Sequence, residues 1–147
     1  MSPPWVRALV KPVLLDTGCI VALLDRSERN HRRCADTVAD VAGPLVTCEA
    51  VIAEACYLLR DLSDATDAVL ENVERGVFEI PFRLDRASKA IRALLRRYAN
   101  VPMDFADACL VQMADELDTG RILTLDTDFA IYRWRRSRVF DRLLAGR

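Results

Sequence analysis

The stretch VLLDTGCIVALL, residues 13–24, opens with three apolar residues set between Pro12 and the turn-forming Asp16-Thr17-Gly18, then continues as an apolar helical run from Cys19 to Leu24. A continuous apolar triplet bounded by turn residues reads as a buried strand of the parallel kind. Gly18 is expected to let the chain turn sharply into the helix. The pattern returns near the other end as ILTLDTDF, residues 122–129, again a short apolar strand running into Asp-Thr. Two such strand-to-carboxylate junctions give the chain its organising expectation, an α/β domain.

The intervening sequence alternates in the same sense. A helix is expected over about Glu28–Ala42, with Cys34, Val38 and Val41 on one face and Gly43-Pro44 as its stop. Leu45-Val46 reads as a second strand, and Thr47 as the cap of an almost wholly apolar helix over Glu49–Arg60. Ser63–Arg75 is amphipathic, Val77–Ile80 is a strand ended by Pro81, and Asp85–Tyr98 turns Ala87, Ile91, Leu94, Leu95 and Tyr98 towards a core. Asn100-Val101-Pro102 breaks the chain before a helix that starts at Asp104 and runs to about Asp118, with Thr119-Gly120 as its stop. Val139-Phe140 and Leu143-Leu144 supply either a last strand or an apolar patch. The expected architecture is a mostly parallel sheet with helices on both faces. Residues 1–12, with three prolines, read as a loose leader, and residues 13–147 as a single domain.

Composition narrows the class. With 147 residues, 52% hydrophobic, the chain is long enough to bury a real core. A net charge of -1 excludes a uniformly basic nucleic-acid binder. Five cysteines in apolar surroundings, without a C-x-x-C pair, read as small core residues of a reducing cytoplasm rather than a zinc site. No apolar run approaches the length of a membrane span.

The chemistry-bearing residues are acidic. Asp16 and Asp126 each stand at the carboxyl end of an expected parallel strand, the sheet edge where α/β proteins bind ligands. Either alone reads as a helix N-cap; the pair asks for more. Asp104 and Asp107, three apart, share one face at the start of their helix. Asp104 suits a cap, whereas Asp107 lies between Ala106, Ala108 and Cys109, where a small apolar residue fits better. Glu54 is the single carboxylate within the apolar run Ala50–Leu59 and is costly there if buried without a partner. Carboxylates brought to one point repel, and a hard cation such as Mg²⁺, or Mn²⁺ in its place, resolves the conflict through oxygen coordination. Such a site activates water for phosphoryl chemistry.

Other catalytic sets lack their parts. The one histidine, His31, excludes a two-histidine mechanism, and no G-x-S-x-G, G-x-G-x-x-G or P-loop sequence occurs. Asp16-Thr17 invites comparison with aspartyl-phosphate phosphatases, but Gly18 stands where their second Asp is required. The cations point to a polyanion: of 21 positive residues all but Lys11 and Lys89 are arginine, whose guanidinium grips phosphate bidentately. Candidates for nucleic-acid contact are Arg86, Lys89, Arg92 and Arg96, together with Arg133, Arg135, Arg136 and Arg138 interleaved with Tyr132 and Trp134.

Four segments in order, LLDTGCIVALLDRSERNH, TCEAVIAEACYLL, RYANVPMDFADACLVQMAD and ILTLDTDF, resemble the PIN-domain ribonucleases of the VapC toxin type over about Val13–Arg136. The resemblance implies a three-layer sandwich around a central, mostly parallel sheet of 4–5 strands, Mg²⁺-dependent endonucleolytic cleavage of RNA, a homodimer, and a cognate antitoxin that blocks the acidic pocket. Asp16, Glu54, Asp107 and Asp126 match the family's acidic quartet, with Asp104 and Asp128 as additional neighbours. Thr17 and Thr124 match its hydroxyl positions beside the metal-site acids, while Gly18 departs from the Ser often found there. Asp16, Asp107 and Asp126 are the expected principal ligands, and Glu54 a ligand through water or the group that orients the attacking water. The alternative is a catalytically idle PIN scaffold that binds RNA or a protein partner.

Overall fold

Val13–Leu15 forms β1 and is fully buried, as an apolar triplet covered on both sheet faces must be. In the computed structural model, which describes residues 10–145, β1 is the middle strand of five. Strand β2, Leu45–Val46, lies on one side of it and β4, Arg121–Leu123, on the other. Beyond them are β3, Phe78–Glu79, next to β2, and β7, Asp141–Arg142, next to β4. Every pairing in this sheet is parallel, with Val13 opposite Leu45, Leu14 opposite Ile122, Leu45 opposite Phe78 and Arg121 opposite Asp141. The spatial order β3-β2-β1-β4-β7 reverses direction between β1 and β4, and that boundary is a topological switch point. A separate antiparallel pair joins β5, Arg133–Trp134, to β6, Arg138–Val139.

Among the described residues, six helices cover the sheet: α1 Thr17–Leu24, α2 His31–Asp40, α3 Glu49–Leu58, α4 Ala65–Glu74, α5 Leu84–Arg97 and α6 Phe105–Leu117. Helix α1 packs against α2, α3 and α4, whereas α5 packs against α6. Parallel crossovers are right-handed, so connections that run leftward from β1 to β3 lie on one face and the return from β3 to β4 lies on the other. The result is three layers around a parallel sheet. Helix α6 is the most enclosed element: Ala106–Val111, Met113 and Ala114 are all buried, so its first turn is fixed in the core.

Several local expectations change. Thr47 does not cap α3; Cys48 holds the cap position, and the Thr47 hydroxyl donates to the Leu15 carbonyl at 2.8 Å, stitching β2 to β1. Gly18 has no positive φ, and a side chain there would meet Leu125 at ordinary contact distance, so the turn into α1 is made by the Asp16 cap. Helix α2 begins at His31 because the Glu28 carboxylate accepts the Asn30 amide at 2.6 Å and closes a turn first. Helix α4 begins at Ala65, after left-handed Asp64. Helix α6 is ended by left-handed Asp118 rather than by Gly120. The last strand is polar Asp141–Arg142, flanked by buried Phe140 and Leu144.

Residues 1–9 of the expected leader lie outside the described residues. Its end is tied to the domain: Lys11 pairs with Asp118 at 2.6 Å, and the Pro12 carbonyl accepts from the Thr119 hydroxyl at 2.8 Å. Among the described residues, no helix is long and apolar enough to cross a membrane.

Candidate metal centre

Asp16 follows β1 directly, and Asp126 lies three residues beyond β4, so both stand at the carboxyl ends of adjacent strands at the switch point. Asp107 reaches the same place from the first turn of α6. One carboxylate oxygen from each of the three lies within 4.8 Å of the others. Asp16 and Asp107 are buried, and Asp126 is the one that faces solvent.

Each of these side chains also caps backbone. Asp16 accepts the Thr17 amide at 2.8 Å through one oxygen and the Thr124 hydroxyl at 2.6 Å through the other. Thr124 in turn accepts the Asp126 amide at 3.0 Å, so a single hydroxyl ties the two strand ends together. Asp126 accepts the Asp128 amide at 2.8 Å and caps the 3₁₀ turn Thr127–Ala130. Asp104 caps α6 by accepting the Asp107 amide at 2.8 Å, and Asp107 answers it across a longer 3.4 Å contact to the Asp104 amide, completing a capping box. Capping and site formation are therefore the same geometry here, since a cap holds a carboxylate in one rotamer at a helix N-terminus.

Tyr132 completes the support. Its buried hydroxyl lies 3.0 Å from Asp107 Oδ2 and 3.1 Å from the Pro102 carbonyl, and its ring packs edge-on against Tyr98 and Phe129. The sequence sets Tyr132 among the arginines of a nucleic-acid patch; in the fold it is a buried prop under Asp107. Nothing in the sequence signals this, because the two residues meet only through the turn that follows β4.

The electrostatics are those of anions held in a dry, crowded place. Burial pushes the Asp16 carboxyl up to about 6, with Asp126 and Glu54 adding to the rise against the opposing Thr124 and Thr17 hydrogen bonds. Burial likewise pushes Asp107 up to about 7, aided by Asp104 and Asp16 and opposed by the Tyr132 hydrogen bond. Asp128 is raised too, first by desolvation and then by Asp126 and Asp104. Such a cluster takes up either protons or a cation.

The donors suit a hard divalent ion. Among the described residues, Asp107 Oδ1 accepts no protein hydrogen bond, and the buried Thr17 hydroxyl has no partner. Oxygen donors with lone pairs to spare are the set that Mg²⁺ or Mn²⁺ takes. Glu54 is exposed on α3, near enough for its charge to act on Asp16 but outside the converging trio.

The cations divide in two. Arg133 folds back onto the carbonyls of Ala130, Ile131 and Tyr132, and Arg135 pairs with Asp118 at 2.7 Å. Arg138 stacks over Trp134. Arg86, Lys89, Arg92 and Arg96 on α5, and Arg136 beyond β5, are exposed, and among the described residues their side chains form no ion pair.

A family model for the PIN domain matches residues 13–134, from the first residue of β1 to the last of β5. The chain belongs to the PIN-domain family. This PIN domain is 30% identical over 116 residues to ribonuclease VapC26 of Mycobacterium tuberculosis, a match that covers 78% of this chain and 86% of that protein. In three dimensions it is similar to the crystal structure of VapC20 from the same organism, a sarcin-ricin loop cleaving toxin, with a TM-score of 0.76 over 86% of this chain and 98% of that one. At 19% identity the second likeness concerns the fold. A PIN domain is thus the frame in which the acidic trio is set.

Proposed function

We propose that this PIN domain is a Mg²⁺-dependent endoribonuclease, the toxin of a type II toxin-antitoxin pair, acting in the cytoplasm as a homodimer. The observation that carries the reading is the convergence of Asp16, Asp107 and Asp126 at the switch point. The relationship to ribonuclease VapC26 supports RNA as the substrate class, and the antitoxin partner follows from the resemblance to VapC-type toxins.

The three aspartates are assigned the metal, with Mn²⁺ able to replace Mg²⁺. When bound, such an ion acidifies a coordinated water and stabilises charge on the departing oxygen. The chain's own part is positional. Thr124 fixes Asp16 and Asp126 relative to one another, and Tyr132 with the Asp104 cap fixes Asp107. Glu54, exposed at the edge of the trio, is assigned to orient the attacking water. The free cations Arg86, Lys89, Arg92, Arg96 and Arg136 hold the RNA backbone, since phosphate needs a positive rim beside so acidic a centre. Arg133 and Arg135, engaged with the protein itself, serve the shape of that rim.

The test is Asp107→Asn, assayed for RNA cleavage with Mg²⁺ beside thermal unfolding. Cleavage should fall by more than about 100-fold, beyond what loss of an outer-shell partner costs, in a protein that remains folded. Retained cleavage would sink the assignment.

A further inference from the structure

The carboxyl edge of the sheet holds more than the acidic trio. Helices α3 and α5 start just beyond the ends of β2 and β3, as Asp16 does beyond β1, and the three strands run parallel, so these helix starts open on the same edge. Residues from both starts and from α6 line a surface cavity of about 760 Å³, within the roughly 300–1,000 Å³ range of small-ligand sites. Its walls include Phe82, Leu84 and Phe105. Phe82 is buried, but Phe105 is 44% and Leu84 45% exposed, so apolar surface is held open to solvent at one concave place, as in a ligand groove.

Phe105 also relates the cavity to the acids. Residues four apart share a helix face, and residues two apart do not. Phe105 and Cys109 therefore turn to the cavity, while Asp107 turns to the trio. The first turn of α6 is a partition roughly 10 Å thick, with carboxylates on one side and an open phenyl ring on the other. The polar groups at the rim favour an uncharged occupant. Arg83, the one cation in the lining, is paired with Asp85 at 2.9 Å, and Glu49 forms no ion pair among the described residues. The Ser88 hydroxyl donates to the Leu84 carbonyl at 2.7 Å and keeps its lone pairs. Acceptors without a free cation repel phosphate and suit the N–H groups of a base. Two other cavities differ in kind: one beside the starts of β2 and β3 is aliphatic, with Val38, Val41 and Val77, and one between α5 and α6 presents Arg97, Arg133 and Arg136. Neither has an aromatic wall.

We propose that the cavity between α3, α5 and α6 takes one unstacked nucleobase of a single-stranded RNA, stacked on Phe105, next to the nucleotide whose phosphate meets the acidic trio. The inference rests on the ribonuclease reading for its substrate class. Splayed bases of single strands are held by stacking on aromatic side chains and read through their edges. Phe105 supplies the ring, Leu84 and Phe82 enclose it, and Glu49 and Ser88 accept from the base edge. A strand that crosses the start of α6 thus has its backbone on the side of the trio and one base on the other, which sets the register of the cut.

The test uses metal-free protein in EDTA, so that binding is read without cleavage. Uridine octamers carrying 2-aminopurine at each position in turn are titrated with the protein and followed by fluorescence. Quenching on binding is expected at one position of the octamer, and Phe105→Ala should abolish it and weaken affinity by about 5- to 150-fold, the span of one lost base–aromatic stack. Phe105→Tyr, which keeps the ring, should restore both, and Leu70→Ala, an equally exposed apolar change on α4, should alter neither. Leu84→Ala gives a second reading in the same direction if Phe105→Ala melts early. Equal quenching and affinity in wild type and Phe105→Ala, an equal loss in Leu70→Ala, or no quenching at any position overturns the proposal; the first of these is also the outcome if the cavity serves a side chain of a protein partner. Cleavage with Mg²⁺, measured separately on wild type, keeps the two readings apart: cleavage without a Phe105 effect leaves the ribonuclease and removes the base site, whereas a Phe105 effect without cleavage leaves an RNA-binding scaffold.

Discussion

At Asp107 one carboxyl group serves two ends, answering the Asp104 cap of α6 and facing Asp16 and Asp126 across the switch point. Without a cation the second role is costly, because burial and neighbouring acids push the group up to about 7. Asp107→Asn keeps an acceptor for Tyr132 and removes the charge, so the variant should be no less stable than the wild type near neutral pH while losing cleavage; paired melting curves check this. Tyr132→Phe separates the prop from the ligand. Loss of its hydroxyl, 3.0 Å from Asp107 Oδ2, should lower stability by about 1 kcal/mol and weaken divalent-ion binding by about 10-fold. Unchanged ion affinity would remove Tyr132 from the site. The capping role of Asp104 is legible in the sequence because capping is local. Tyr132 is not, since its partner is 25 residues away.

Among the elements, the strands that can be read are those whose apolar residues are buried on both faces. VLL at β1 and the strand in ILTL show themselves by composition, and the helices by their spacing. Strand β7, Asp141–Arg142, does not, because an edge strand pairs through its backbone and leaves its side chains free to be polar. Gly120 illustrates the same boundary. It reads as a helix stop, yet its structural reason is the Trp134 indole, which lies where a Cβ would stand. Gly120→Ala should therefore displace Trp134 and the β5–β6 pair, costing about 1–3 kcal/mol. Chemical denaturation with Trp fluorescence reads both effects, and a neutral result would contradict the close approach. Thr47 reads as a cap and is not one for a related reason: its hydroxyl has a nearer acceptor in the Leu15 carbonyl, which no local pattern reveals.

Across the whole molecule the acidic centre makes stability depend on pH in an unusual direction. Asp16 and Asp107 are raised from 3.8 to about 6 and about 7, so the folded metal-free state binds more protons than the unfolded chain within that window. Stability from these groups is present below about pH 4 and lost as the pH rises through the folded values, by about 1.4 kcal/mol for each tenfold rise in a carboxylate's proton affinity on folding. The stability advantage of Asp107→Asn over the metal-free wild type should accordingly grow between acidic and neutral pH, and saturating Mg²⁺ should abolish it. A constant difference in melting temperature across that range would contradict the electrostatic picture.

The central claim is that three capping carboxylates form one cation site. Calorimetric titration of Mn²⁺ into the metal-free protein, at a pH between the raised values of Asp16 and Asp107 and in buffers of different ionisation enthalpy, tests it most directly. The wild type should bind the ion with release of protons from the aspartates, and Asp107→Asn should bind it far more weakly and release fewer. Binding that is equal in the two proteins, or that displaces no protons, would contradict the account.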